Sequence, residues 1–124
     1  MPRVIIVEDN PDSARLAARL LRRAGCEVEI APDAETGLKV CLSDPPAIAL
    51  IDLGLPDLDG QTMIAILRQQ ADLRQLVVLA FTAWPADTAR QMALAYGCDG
   101  VVTKPIDTRT FADEVLAYLK QRAS

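Results

Sequence analysis

The stretch AIALIDLGLPDLDG, residues 47–60, decides how the rest of the chain is read. Ala47 to Ile51 is a continuous apolar run, short enough for a strand and typical of one buried on both faces. The run stops on Asp52. Gly54 to Gly60 is then dense in Gly, Pro and Asp, the residues that make turns. A buried strand that closes on a carboxylate and opens through a turn into a helix is the repeating unit of a parallel α/β sheet.

The unit recurs in both directions along the chain. Val4 to Val7 reads as strand one and Cys26 to Ile30, with alternating polarity, as strand two. Between them, Asn10-Pro11 reads as an N-cap followed by proline at the first helical position. Ala14, Ala17, Leu21 and Ala24 give helix one a buried stripe, Arg15, Arg19, Arg22 and Arg23 cover its outer face, and Gly25 stops it. Asp33 is expected to cap helix two, which ends near Ser43. Helix three spans about Gln61 to Gln70, strand four Leu76 to Ala80, and helix four Ala86 to Tyr96 with a stop at Gly97. Val101 to Thr103 is a short strand five. Asp107 is read as the N-cap of helix five, which buries Phe111, Val115 and Leu119. Strands alternating with helices predict an α/β fold, with right-handed crossovers placing helices on both faces of a parallel sheet.

Composition agrees and narrows the function. The 124 residues suit one domain, 1–124, and only 4% are aromatic, so Ala, Val, Ile and Leu must build the core. A formal net charge of −4 argues against a nucleic-acid surface, which needs a basic field. No apolar run is long enough to cross a membrane, and acidic residues interrupt the N-terminal run after Val7, unlike a signal peptide. A cytoplasmic location is therefore expected. Cys26, Cys41 and Cys98 are odd in number and lack CxxC spacing, which points to small apolar residues rather than a disulfide or zinc site. The absence of histidine excludes a catalytic triad and His-ligated metals.

Four of the strands end on residues a core would not choose. Strand one ends in Glu8-Asp9, strand three in Asp52, strand four near Thr82, and strand five in Lys104-Pro105. Strand two ends in Ala31-Pro32 and contributes nothing. In a parallel sheet these ends share one edge, where loops form the usual site. A lone carboxylate there is commonly a turn or helix cap, and Asp57 and Asp59 are read that way. Three carboxylates side by side repel one another unless a hard divalent cation relieves them. With a hydroxyl and an ammonium group, they make a site for a phosphoryl group in which one carboxylate serves as nucleophile.

At these residues the chain resembles the receiver domains of two-component response regulators. VIIVEDN carries the acidic pair Glu8-Asp9, IDLGLPDLDG surrounds a phospho-accepting aspartate at Asp52, FTA supplies Thr82, and TKP supplies Lys104 and Pro105. The resemblance runs from Val4 to about Leu119. It implies a flavodoxin-like, doubly wound sheet of order 2-1-3-4-5 flanked by five helices. It implies that Asp9, Asp52 and the carbonyl of Gly54 bind Mg²⁺ (or Mn²⁺), with Glu8 acting through water. Asp52 would take a phosphoryl group from a phosphohistidine on a histidine kinase or histidine phosphotransfer protein. Thr82 and Lys104 would then hold the phosphoryl oxygens, and a cis Lys104-Pro105 bond would aim the lysine inward. A downstream effector would bind through helix four, strand five and helix five, with no direct role for nucleic acid or membrane.

Two positions depart from the family pattern. Val101 stands where many receivers have an aromatic switch residue. Trp84 stands two residues after Thr82, where it either caps helix four against Pro85 or shields the phosphoryl group from water. The helix-one arginines are either a solvated face or part of the docking surface for the phosphotransfer partner. Among other classes, a receiver-like interaction module that is never phosphorylated remains the alternative. An aspartyl phosphohydrolase would need an acidic residue where Gly54 stands. A dinucleotide domain would need GxGxxG after strand one. The protein is expected to act as a switch, catalysing only its own phosphorylation and slow dephosphorylation, and not as a turnover enzyme.

Overall fold

The computed structural model of the protein describes residues 1–123. Five strands, β1 (Arg3–Val7), β2 (Glu27–Ala31), β3 (Ile48–Asp52), β4 (Val77–Thr82) and β5 (Gly100–Thr103), form one parallel sheet in the order β2-β1-β3-β4-β5. Five helices connect and follow them: α1 (Pro11–Arg23), α2 (Ala34–Ser43), α3 (Gly60–Arg68), α4 (Ala86–Tyr96) and α5 (Phe111–Ala123). The expected flavodoxin-like α/β architecture is the observed one.

Strand side chains alternate between faces, so each central strand feeds two cores. Ile5, Val7, Ala49, Ile51, Val78 and Ala80 pack under α2, α3 and α4, against Cys41, Met63, Ile64, Leu67 and Ala93. Val4, Ile6, Ile48, Leu50, Leu79 and Phe81 pack under α1 and α5, against Ala17, Leu21, Phe111 and Val115. Burial on both faces is why β1, β3 and β4 read as unbroken apolar runs. The small side chains of α1 suit close helix–sheet packing. All three cysteines are buried and free, and burial lifts the Cys41 thiol to about 11 and the Cys98 thiol to about 12.

The helix starts follow the expected chemistry with one exception. Asn10 accepts from the Ser13 amide at 3.0 Å, and Asp33 accepts from the Thr36 amide at 2.8 Å. Gly25 and Gly97 both have φ of +93°, the left-handed conformation that closes α1 and α4. Asp107, expected to open α5 directly, instead caps a turn over residues 108–110, accepting from the Arg109 amide at 3.0 Å. The helix proper begins at Phe111. Smaller corrections follow the same pattern. Ala24 is exposed as the α1 C-cap rather than part of its buried stripe. A short 3-10 turn, Ala71–Leu73, lies between α3 and β4 and buries Leu73.

Candidate functional site

Because all strands run the same way, the C-terminal ends of β1, β3, β4 and β5 open on one edge of the sheet. The apolar run of β1 exits the core directly into Glu8 and Asp9. Glu8 is only 2% exposed, whereas Asp9 lies on the surface. Asp52 closes β3 and is half-buried. Ligand oxygens of Glu8, Asp9 and Asp52 all lie within 4.8 Å of one another.

Lys104 enters from β5. Its Nζ donates to Glu8 Oε1 and lies 3.7 Å from Asp52 Oδ2. The ammonium also sits 4.5 Å from the ring centroid of Phe81, a cation–π contact that the sequence did not signal. The Lys104-Pro105 peptide is cis, and the Lys104 amide donates to the Thr82 carbonyl at 2.8 Å. Thr82 is buried at the end of β4, and its hydroxyl oxygen accepts from the Trp84 amide at 3.1 Å. That bond leaves the hydroxyl hydrogen free to donate elsewhere.

The electrostatics are unbalanced. Three carboxylates face one ammonium group, and Glu8 Oε2 is buried without a hydrogen-bond partner among the described residues. Burial raises the Glu8 carboxyl above its usual range, the neighbouring Asp52 raises it further, and Lys104 only partly offsets both. An orphaned carboxylate oxygen beside two more carboxylates is a donor set of hard oxygens. It fits a divalent cation of the Mg²⁺ type, which binds one or two carboxylates and keeps its waters.

The turn after β3 is held at several points. The Gly54 amide donates to Asp52 Oδ1 at 3.0 Å. Gly60 lies so close to β3 that a Cβ there would fall 2.6 Å from the Asp52 carbonyl oxygen and 2.8 Å from Leu53 Cα. Asp59 caps α3, accepting from the Thr62 amide and hydroxyl at 2.8 Å each. Asp57, read from sequence as a turn or helix-cap residue, reaches across to α2. Its two oxygens accept the Ala34 and Glu35 amides, each at 3.0 Å, and these bonds hold its carboxyl below the usual range. The segment after strand two, expected to contribute nothing, is therefore tied to the loop beside Asp52. The available signal was a surplus: PDLDG offers two carboxylates where one helix start needs one.

The remaining sequence candidates are also located. Trp84 is 41% exposed at the rim, just before α4. Val101, on β5, is half-buried and packs against the cluster that includes Ala80, Ala93 and Cys98. Arg15 pairs with Asp12, and Arg22 donates to the Val28 carbonyl at 3.0 Å.

Fold and edge together define a class: a doubly wound parallel domain with an acidic, lysine-countered pocket at its carboxyl edge. The chain belongs to the response regulator receiver domain family, whose model matches residues 4–116. It is 31% identical over 121 residues to the DNA-binding dual master transcriptional regulator RpaA of Synechocystis sp., a match covering 98% of this chain and 50% of that protein. It is 29% identical over 119 residues to the sensor protein TorS of Escherichia coli, covering 95% of this chain and 13% of that protein. The chain thus spans half of one relative and a small part of the other. A solved CheY-like response regulator receiver domain protein from Methanospirillum hungatei superposes with a TM-score of 0.85 at 25% identity, covering 99% of this chain and 97% of that one. Among the described residues no helix is long and apolar enough to cross a membrane.

Proposed function

We propose that residues 1–124 form one phospho-accepting receiver domain of a two-component or phosphorelay system, located in the cytoplasm, with Asp52 as the acceptor. The observation that carries the reading is the cluster itself: carboxylate oxygens of Glu8, Asp9 and Asp52 within 4.8 Å, with the Lys104 ammonium against Glu8 and Asp52. In this reading Asp9, Asp52 and the Gly54 carbonyl would hold Mg²⁺ (or Mn²⁺), with Glu8 acting through water. When bound, the cation neutralises negative charge on the transferring group.

The chain's own residues do the rest. A carboxylate oxygen of Asp52 attacks the phosphorus of a partner's phosphohistidine. The new O–P bond forms as the P–N bond breaks, the imidazole leaves with the bonding electrons, and Asp52 becomes an acyl phosphate. Lys104 releases Glu8 and pairs with a phosphoryl oxygen, while the free hydroxyl hydrogen of Thr82 donates to another. Trp84, at the rim, restricts water and slows the return hydrolysis. The donor is a histidine kinase or histidine phosphotransfer protein, and the output face is α4, β5 and α5. A cavity of about 550 Å³ lined by Arg90, Leu94, Val101, Thr103 and Tyr118 opens on that face.

The second reading, an interaction module that is never phosphorylated, draws support from Val101, which lacks the ring that many receivers move on activation. Incubation with acetyl phosphate and Mg²⁺, mapped by mass spectrometry, separates the two. One phosphoryl group on Asp52, lost in Asp52→Asn, is the expected result. A phosphoryl group elsewhere, or none, would overturn the assignment.

A further inference from the structure

Two carboxylates serve the start of α2, and they come from different parts of the chain. Asp33 is the local N-cap, taking the Thr36 amide. Asp57 lies 23 residues beyond Ala34 and takes the Ala34 amide on Oδ1 and the Glu35 amide on Oδ2. The first amides of a helix have no partner within the helix. Here the first two are satisfied from the loop that follows Asp52.

The double bond, one amide to each oxygen, fixes both the position and the direction of the Asp57 side chain. The loop from Leu53 to Asp59 is then held at its middle against a neighbouring element. Its two ends are fastened locally, by the Gly54 amide on Asp52 Oδ1 and by Asp59 on Thr62. Leu53 and Leu55 are buried beneath it. Among the described residues, Asp57 provides the loop's side-chain hydrogen bonds to an element other than α3, the helix it leads into. The Asp57 side chain is itself exposed, whereas Ala34, whose amide it accepts, is buried.

We infer that Asp57 is a positioning residue for the phosphoryl-accepting site: by gripping the first turn of α2 it holds the β3–α3 loop so that the Gly54 backbone stays beside Asp52. The inference rests on the proposed function, in which the Gly54 carbonyl is one of the cation's ligands. Asp57 touches no reacting atom and acts through the loop alone.

The two caps of α2 give a matched control. Asp33→Ala removes the local cap, and Asp57→Ala removes the tether. Either substitution lowers thermal stability by unsatisfying α2 amides, but only the second frees the loop. Calorimetric titration of Mg²⁺ into the parent and each variant reads the difference. Asp57→Ala is expected to weaken Mg²⁺ binding about tenfold, the low end for residues that orient metal ligands from outside. Asp57→Asn, which keeps one acceptor oxygen, falls between Asp57→Ala and the parent. Asp33→Ala leaves the affinity unchanged. Phosphorylation of Asp57→Ala by acetyl phosphate should be slow at low Mg²⁺ and recover at saturating Mg²⁺. If the parent binds Mg²⁺ and Asp57→Ala or Asp57→Asn binds it equally well, the positioning role is wrong and the proposed function stands. Equal weakening by Asp33→Ala and Asp57→Ala would also overturn the role, making it a matter of helix stability alone. A parent without Mg²⁺ affinity would overturn the proposed function, and this inference with it.

Discussion

Two ionic clusters sit near opposite edges of the same sheet, and they are built on opposite principles. Near the amino ends of β4 and β5, Arg68 from α3 meets Asp99 at 2.8 Å. The same guanidinium donates to the Gly97 carbonyl at 2.8 Å and the Leu76 carbonyl at 3.0 Å, and Asp99 also accepts the Val78 amide at 2.8 Å. One positive group meets one negative group, and two further guanidinium donors find carbonyls. At the carboxyl edge, by contrast, three carboxylates gather where one ammonium pairs with two of them, and a buried oxygen of Glu8 has no hydrogen-bond partner among the described residues. A half-buried ion pair with its hydrogen bonds satisfied holds elements together. An unbalanced one is a poor way to hold a fold, because unpaired buried charge opposes folding. Set beside the balanced Arg68–Asp99 cluster, the carboxyl-edge group is compatible with a metal ion, which would bring the missing positive charge.

Substitutions in the two clusters should therefore separate function from stability. Lys104→Ala is expected to lower the rate of phosphorylation by acetyl phosphate about 100-fold or more, the scale of losing one charge-stabilising group at a reacting centre. Arg68→Ala is expected to leave that rate unchanged and to lower unfolding free energy by about 2 kcal/mol in denaturant titrations, discounted from a fully buried pair because both side chains are partly exposed. A stability loss in Lys104→Ala as large as in Arg68→Ala, with no loss of rate, would erase the distinction.

A smaller effect should appear on titration. Raised above 4.5 in the folded protein, the Glu8 carboxyl holds its proton longer there than in the unfolded chain. Its contribution to stability is full below 4.5 and is lost as pH rises through the raised folded value. Asp57 and Asp59 act in the other direction and lower down. Both are depressed below 3.8, so their contribution is present above 3.8 and is lost as pH falls through the depressed values. Metal-free Glu8→Gln should therefore lose less stability than the parent as pH rises above 4.5 in denaturant titrations. Parallel curves would mean that Glu8 does not carry the strain. The smallest expected change is in Trp84→Ala, whose phosphorylated form should hydrolyse a few-fold faster than the parent. An unchanged rate would reduce Trp84 to packing at the start of α4.

The sequence revealed the candidate site more readily than its supports. Glu8, Asp9, Asp52, Thr82 and Lys104 announce themselves because charged or hydroxyl groups end apolar runs, and a parallel sheet brings those ends to one edge. Asn10 and Asp33 were legible because their partners lie three residues away. Asp57 was not, because its partners lie 22 and 23 residues away, and local periodicity carries no signal for such a bond. The turn ahead of Phe111 was missed for a related reason: Asp107 has the chemistry of a cap, and only the backbone decides whether a helix or a turn follows. The burial of Glu8 beside an exposed Asp9 was equally invisible, since adjacent carboxylates look alike in a sequence.

The most direct test of the imbalance is a calorimetric titration of Mg²⁺ into the folded protein alongside Asp9→Asn and Arg68→Ala. Saturable binding at a single site, lost in Asp9→Asn and retained in Arg68→Ala, is the expected result. No binding by the parent, or binding that survives Asp9→Asn undiminished, would mean that the carboxyl-edge carboxylates are not gathered for a cation.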